Sequence, residues 1–373
     1  MDHRVTLESR GGTARPITVD RATNIELTRD IMAPAEARFE IGDDGTWSAI
    51  RDAIATGSRW TVAVDGRPWL TGRLLAKQLP ISSQAGATVQ VTIRTALADA
   101  QFASCNPKIS VKQTTIEQLV YDAYAETDVS KFVFGGNFKI DPLSGKSRSN
   151  EAEAIKVRTL KAEEARVHPP ETVFAFVARH LQRFGLQHWD GPDGSIYIGA
   201  PDDTQPAAYK LRCLRRRGAQ NNVLGAAKQE NFEEVPDALW AFGVGGGKDV
   251  SKAKVRAVEF DATLAAVQPP LRRGFFVIDQ ALKTKELAQR RVANEMSTRS
   301  RAKDAWQVDV DGWAHWDGSR WMPYDVDTVA DVHVDLAGIP SGAHLVIRVD
   351  LSGSAGNGFT AKLSTVAKGI WKL

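Results

Sequence analysis

The residues that could react are few, and their spacing decides what each is able to do. The run Gly243-Val244-Gly245-Gly246-Gly247-Lys248-Asp249 looks like a phosphate-binding loop. Such a loop needs four residues between its glycines and a Ser or Thr after the Lys, because that hydroxyl holds the metal. Here three residues intervene and Asp249 follows, so the run reads as a hairpin tip. Ser144-Gly145-Lys146-Ser147 has the right ending, but Ile140 stands where the first glycine must be. The seven histidines are scattered, and His180, His188, His315, His333 and His344 show neither HExxH nor HxH spacing. Cys105 and Cys213 lie far apart with no CxxC, which predicts reduced thiols and neither a disulfide framework nor a zinc site. Two carboxylates would suffice for glycoside hydrolysis. Asp325, Asp327, Asp331 and Asp335 fall around predicted strands, and Asp309 and Asp311 precede a glycine turn. Alternating Asp on a strand is more simply its solvated face, so no catalytic, metal-binding or cofactor-binding residue is assigned.

Two non-catalytic clusters stand out. Trp306, Trp313, Trp316 and Trp321 lie within sixteen residues. Exposed, they would stack on sugar rings; buried, they would pack a barrel wall or a subunit interface, which suits the large area of Trp. Lys210, Arg212, Arg215, Arg216 and Arg217 form a basic run along a predicted strand. It fits a solvated strand end or intersubunit salt bridges, or else a positive patch against passing DNA.

The composition bounds these readings. The chain has 373 residues, 43% hydrophobic and 25% charged, which suits two to four folded domains. Lys and Arg total 48 against 45 Asp and Glu, too even for a dedicated nucleic-acid binder. The start Met1-Asp2-His3-Arg4-Val5 has no apolar core of a signal peptide, and no stretch is long enough to span a bilayer. A protein made in the cytoplasm without membrane insertion is expected.

The elements that must position these residues are mostly strands. Val5–Leu7, Ile25–Thr28, Ala37–Ile41 and Thr88–Ile93 alternate with period two. Trp60–Val64 and Trp69–Leu75 flank Asp65-Gly66, a hairpin turn. A short helix is expected from Trp47 to Ala55, and the whole of 1–97 reads as a β-barrel. An α+β section follows over 98–205. Thr114 and Thr115 are followed three residues on by Glu117 and Gln118, the capping-box start of a helix to about Glu126. Gly135–Asn150 reads as a loop. Pro169-Pro170-Glu171-Thr172 opens a second helix with the apolar stripe Val173, Val177, Leu181 and Phe184, which Gly185 stops. A hairpin over 186–198 turns at Asp190–Gly194. Strands return at Tyr209–Leu214, Leu239–Val244 and Ala253–Phe260. A helix from Asp279 to about Ser300, faced by Ala281, Ala288, Val292 and Met296, continues the α+β section over 270–303. Trp306–Val310, Trp313–Trp321, Thr328–Leu336, Ala343–Leu351 and Phe359–Thr365 then complete a second β-barrel, built from 206–265 and 304–373. The two β domains have similar size, as an old internal duplication would leave them.

This order of parts resembles the baseplate hub proteins of contractile-tailed phages, in particular the Mu-type hub, related in fold to the T-even hub and to the base of type VI secretion spikes. The resemblance is carried by Thr61-Val62-Ala63-Val64-Asp65-Gly66 with Leu70-Thr71-Gly72, and by Pro170-Glu171-Thr172-Val173-Phe174 through Arg183-Phe184-Gly185-Leu186 into Ser195-Ile196-Tyr197-Ile198. Glu286-Leu287-Ala288 to Met296 leads next into Trp306-Gln307-Val308-Asp309-Val310-Asp311-Gly312-Trp313. Trp321-Met322-Pro323-Tyr324-Asp325-Val326, Gly338-Ile339, His344–Val349 and Gly358–Leu363 close the series. What the resemblance implies is an α+β, β-rich chain with two similar β-barrel domains around an inserted α+β section, assembling as a trimeric ring. Such a ring would join a sixfold tail tube to a threefold spike and leave a lumen for DNA. It would sit in the baseplate of a virion tail, with spike and tube proteins as partners and no enzymatic activity. A tail-associated cell-wall hydrolase and a glycan-binding tail module using the Trp cluster are the alternatives.

Overall fold

A computed structural model describes residues 3–9, 17–18, 22–42, 59–78, 81–82, 86–111, 114–127, 129, 131–134, 159–160, 165–168, 170–216, 220–229, 235–243, 253–266, 273–279, 281–303, 305–335, 341–354 and 358–370. The expected helix at Trp47–Ala55, the Ser144–Ser147 loop, most of the Gly243–Asp249 run, and Arg217 lie outside these residues.

The first part holds β1 (Val5–Ser9), β2 (Ile17–Thr18), β3 (Ala22–Asp30), β4 (Glu36–Gly42), β5 (Arg59–Val64), β6 (Arg67–Gln78), β7 (Ile81–Ser82) and β8 (Gly86–Arg94). Period-two alternation does what it should. Ile25 and Leu27 of β3, Ala37 and Phe39 of β4, and Val89, Val91 and Ile93 of β8 are all buried on one side. Between β5 and β6, Asp65 and Gly66 take φ of 51° and 75°, the left-handed pair that matches a hairpin turn to strand twist.

The α+β section begins with a helix at Ala96–Phe102. Thr115 caps the next helix, Ile116–Tyr124, by accepting the Gln118 N–H at 3.1 Å. Thr172 caps the helix Val173–Gln182 through the Ala175 N–H at 3.2 Å, and Gly185 ends that unit with φ 79°. Val173, Val177, Leu181 and Phe184 are buried, as their spacing predicts. Short strands β9 (Thr114–Thr115), β10 (Phe132–Phe134), β11 (Thr159–Leu160), β12 (Gln187–Asp190) and β13 (Ile196–Gly199) complete the section, with β10 parallel to β13.

The remaining strands are β14 (Tyr209–Cys213), β15 (Val223–Gln229), β16 (Ala238–Gly243), β17 (Val255–Phe260), β18 (Gly274–Ile278), β19 (Ala305–Asp311), β20 (Ala314–Trp316), β21 (Trp321–Pro323), β22 (Thr328–Val334), β23 (Gly342–Ser354) and β24 (Gly358–Ala367). The long helix runs Lys285–Lys303, starting later than its charge pattern predicts. Thr284 opens it, its hydroxyl accepting the Leu287 N–H at 3.2 Å, while Asp279 belongs to the end of β18, with its own N–H on the Phe242 carbonyl at 3.0 Å and its carboxylate on the Arg183 guanidinium. The stretch Trp313–Trp321 is likewise not one strand. Asp317 turns the chain, and β20 and β21 pair with Trp316 opposite Trp321.

Strands β16, β17 and β18 form their own sheet in the order β17-β16-β18. Leu239, Ala241 and Ala257 on one face of it pack against Ala288, Val292 and Met296 of the long helix. All other long strands belong to one fourteen-stranded sheet. Its two halves repeat a plan. Numbered by chain order within its half, the set β1, β3, β4, β5, β6, β8 is arranged 2-3-6-5-4-1, and so is the set β14, β15, β19, β22, β23, β24. One difference is sense: β1 meets β5 antiparallel, whereas β14 meets β22 parallel. The halves join where β3, the end strand of the first array, pairs with β23, an inner strand of the second. Residues 342–346 of β23 pair with β22, and beyond the register shift at Ile347, residues 348–353 pair with β3. Among the described residues no ladder closes either half into a complete barrel.

Candidate assembly surface

The groups best placed for chemistry turn out to be engaged in structure. His3 and Asp65 meet at 2.7 Å, a geometry that could serve a base and its orienting acid. The other ring nitrogen of His3, however, accepts the Trp313 backbone N–H at 2.9 Å, and the ring lies stacked on Trp313. With both nitrogens used, the imidazole has none left to activate a nucleophile. Burial works to raise the Asp65 pKa, but bonds from His3 and the Arg4 N–H outweigh it and hold the carboxyl below its ordinary value. This is a clasp between the first strand and the C-terminal half.

Four of the six carboxylates singled out by spacing are also committed. Asp325 binds Arg29 at 2.6 Å, Asp327 accepts the Asp202 N–H at 3.0 Å, Asp331 pairs with Arg212 and His333, and Asp335 accepts the Arg215 N–H at 2.9 Å. A cleft of about 250 Å³ lies where Trp69, Tyr209, Met322 and Tyr324 meet, and among the described residues Asp325 is the one carboxylate in its lining. Among the described residues no group of three or more His, Cys, Asp or Glu could hold a metal ion. His188 is fully enclosed and burial pushes its pKa down to about 3, so it is a neutral core ring packed on Phe174. Burial pushes the Cys105 thiol up to about 12, which makes it inert. No described helix is long and apolar enough to cross a membrane.

The junction of the parts is polar and was invisible in the sequence. Arg29, 3% exposed, donates to Asp325 and, at 2.7 Å, to the backbone carbonyl of Asp190, while standing over the Trp69 ring. The Asp190 carboxylate accepts the Thr95 hydroxyl at 2.6 Å and the Ala35 N–H at 2.8 Å. Burial dominates and raises its pKa to about 6, against the lowering effect of those bonds and of Arg29. Residues 29, 190 and 325 thus tie three distant chain segments at one buried point.

The basic run lies along β14 and its exit. Lys210, Arg215 and Arg216 are exposed, and Arg212 is half-buried, bonded to the Asp331 carboxylate and carbonyl. Beside it, Asn222 bridges β14 to the start of β15. Its side chain accepts the Arg212 N–H at 2.8 Å and donates to the Lys210 carbonyl at 2.9 Å, and its own N–H reaches the Arg212 carbonyl at 3.1 Å. One residue therefore fastens the two end strands of the second half, which share no ladder among the described residues.

The four tryptophans separate into two pairs. Trp306 and Trp313 are buried, and the Trp313 indole N–H donates to the Ser352 carbonyl at 2.9 Å and to that of Thr360 at 3.1 Å. Trp316 and Trp321 are 45% and 40% exposed, with rings 5.3 Å apart and tilted by 49°. A tilted pair is not a flat stacking platform for a sugar.

A further apolar surface could not be found from the sequence. On the β17-β16-β18 sheet, the face away from the long helix carries Trp240, Phe242, Phe260, Phe276 and Ile278, with Phe260, Phe276 and Ile278 all more than half exposed. Trp240 stacks on Phe276 at 5.2 Å and meets Phe260 edge-on at 6.4 Å. Alternation in β16 marks these residues as one face, but only the pairing with β18 shows that they form a patch.

No family model and no curated protein matches the chain. Solved structures do. A tail protein from Neisseria meningitidis matches with TM-score 0.76 at 17% identity, covering 100% of this chain and 98% of that one. The 43 kDa tail protein of prophage MuSo2 from Shewanella oneidensis matches with TM-score 0.70 at 16% identity, covering 98% of both. An Escherichia coli type VI secretion component, described as structurally similar to the T4 tail proteins gp27 and gp5, matches with TM-score 0.51 at 12% identity, over 98% of this chain and 78% of that one. At these identities the likeness is one of fold, end to end, with tail proteins of the kind the sequence resemblance named; the β-rich architecture agrees with it, whereas no sheet among the described residues closes into a barrel.

Proposed function

We propose that the chain is a structural hub of a phage or phage-derived tail: a homotrimeric symmetry adaptor between a sixfold tube and a threefold spike. The observation that carries this reading is the repeated strand plan. Each chain holds two six-strand arrays of the same 2-3-6-5-4-1 order, fused through β23, an inner strand of the second array that also pairs with the end strand β3 of the first. Three copies would then present six like units to the tube while keeping threefold symmetry for the spike. The commitment of Asp325, Asp327, Asp331, Asp335 and His3 to structural bonds supports a role carried by shape and not by a reacting group.

In this reading each array is one barrel-like wall of the ring, and the lumen passes DNA. Lys210, Arg212, Arg215, Arg216 and Arg217 are interface or lumen residues, where cations favour a sliding polyanion without fixing sequence. Trp306 and Trp313 act as wall, Trp316 and Trp321 as interface. Spike and tube proteins are the partners, and the assembled place is the tail baseplate of a virion, after synthesis in the host cytoplasm. Light scattering on the purified chain tests it. A particle three times the 40.7 kDa chain mass is expected, and a protein that stays monomeric even with spike or tube partner present would refute the hub.

A further inference from the structure

We propose that the open edge of β15 pairs, antiparallel, with β6 of a second copy of this chain, and so repeats between chains the joint that β3 and β23 make within one. The inference rests on the homotrimer reading and names the strands that would build it.

The joint within the chain has a particular construction. It sets the second strand of the first array, β3, against the fifth strand of the second, β23. Each of these strands carries one extra residue against its neighbour in its own array, Thr23 against β4 and Ile347 against β24. A bulge of this kind bends its strand and raises the local twist, which turns the stretch beyond it out of its own array. The stretches beyond the two bulges are the ones that pair, Ile25–Asp30 with Arg348–Gly353.

The repeat supplies the same parts a second time. The second strand of the second array is β15, with Leu224 as its extra residue against β19. The fifth strand of the first array is β6, with Leu75 as its extra residue against β8. Beyond these bulges lie Gly225–Gln229 and Ala76–Gln78. Among the described residues each stretch has a ladder on one side only, with β19 and β8 respectively, since the pairing of β6 with β5 ends at Arg73. An open edge is a template for another strand, and the joint already made selects which one. Exposure agrees. Ile347 is 6% exposed beside the made joint, where its carbonyl accepts the Ile31 N–H at 3.1 Å, whereas its counterpart Leu75 is 38% exposed. Leu224, at the other open edge, is 63% exposed.

A second strand against a fifth is a contact between unlike surfaces, which runs head to tail and closes into a ring when the rotation permits. Three chains would then hold joints of one kind throughout, alternately within a chain and between chains. Register follows from the bulges. Asp350 and Thr28, the third and fifth residues beyond theirs, stand opposite each other with side chains bonded at 2.7 Å. The same count sets Gln78 of β6 opposite Gln229 of β15 in the neighbouring copy.

A chain carrying Gln78→Cys and Gln229→Cys tests this. Reduced, it is first matched to wild type in circular dichroism and molar mass. On mild oxidation it should run on non-reducing gels at two and three times the chain mass and return to one on reduction. Wild type, with its two native thiols, and each single-cysteine variant should stay at one. A second measurement needs no variant: in wild type, amides of Gly225–Gln229 and Ala76–Gln78 should exchange at least about tenfold more slowly in the assembled protein than in chains diluted to monomers. Either a wild-type-like double variant that forms no bond between chains, or exchange unchanged by assembly, overturns the proposal while leaving a wild-type trimer in place. If the double variant does not fold, the exchange measurement decides. A wild type that is monomeric at every concentration overturns the hub reading together with it.

Discussion

At the scale of single residues, Asp190 sets burial against hydrogen bonding, and burial wins. Its folded pKa of about 6 lies above the ordinary carboxylate value of 3.8, so the folded state binds the proton more tightly than the unfolded chain. The sign follows. This carboxyl costs nothing below about pH 4, and stability falls as pH rises through about 6, by an amount on the order of 3 kcal/mol. Thermal melts from pH 4 to 8 should therefore show Asp190→Asn gaining on wild type as pH rises, with a flatter profile; parallel profiles would show that Asp190 does not set the pH dependence. Trp313 is the opposite case, a buried group with full hydrogen bonding. Trp313→Phe keeps an aromatic ring but deletes the donor shared by the Ser352 and Thr360 carbonyls. A loss of about 1 kcal/mol is expected in urea unfolding, since the two carbonyls lose the donor they share. The His3 ring stacked on Trp313 should show the change as a shifted imidazole resonance.

Between elements, two joints carry the next predictions. Arg183 and Asp279 form a two-bond ion pair, with side chains only 5% and 10% exposed, linking the helix Val173–Gln182 to the end of β18. Asp279→Ala leaves the guanidinium buried without its partner, which should cost about 3–5 kcal/mol in denaturant unfolding. Asn222→Ala removes the side chain that fastens β14 to β15. Amide exchange in Lys210–Arg212 should quicken, with a global loss of about 1–3 kcal/mol. How much of the fold was legible in the sequence depends on the distance over which each cause acts. The Asp65-Gly66 turn, the Thr115 and Thr172 caps and the Gly185 stop were readable because their causes lie within a few residues. β15 was not, because Gly225, Ala226 and Ala227 have weak strand preference, and its pairing with β19 supplies what they lack. The long helix reads as beginning too early, at Asp279, because Asp279 and Thr284 are both good caps by type, and what holds Asp279 to the sheet instead is the Phe242 carbonyl, which lies far back in the chain. The same reason hid the Arg29–Asp190–Asp325 junction and the aromatic sheet face.

For the whole molecule, the repeated strand order is the feature with the widest reach, and β23 is where it becomes mechanical. This strand of 13 residues is shared: residues 342–346 pair with β22, and 348–353 with β3. A threefold mass in solution concerns how chains meet; β23 concerns how one chain holds itself. Thr28 bonds Asp350 at 2.7 Å across the seam, and the Ile31 N–H reaches the Ile347 carbonyl at 3.1 Å. Shortening the seam by Asp350→Pro, which removes an N–H and bends the strand, should uncouple the melts of the two halves into two calorimetric transitions. Consider then a force that slides one half past the other along the strands. It loads every hydrogen bond of the seam at once, in shear, whereas a pull that peels the strands apart meets them one at a time. A molecule joined in this way is a stiff girder along one axis and a tear strip along another, and the direction of β23 decides which load it survives.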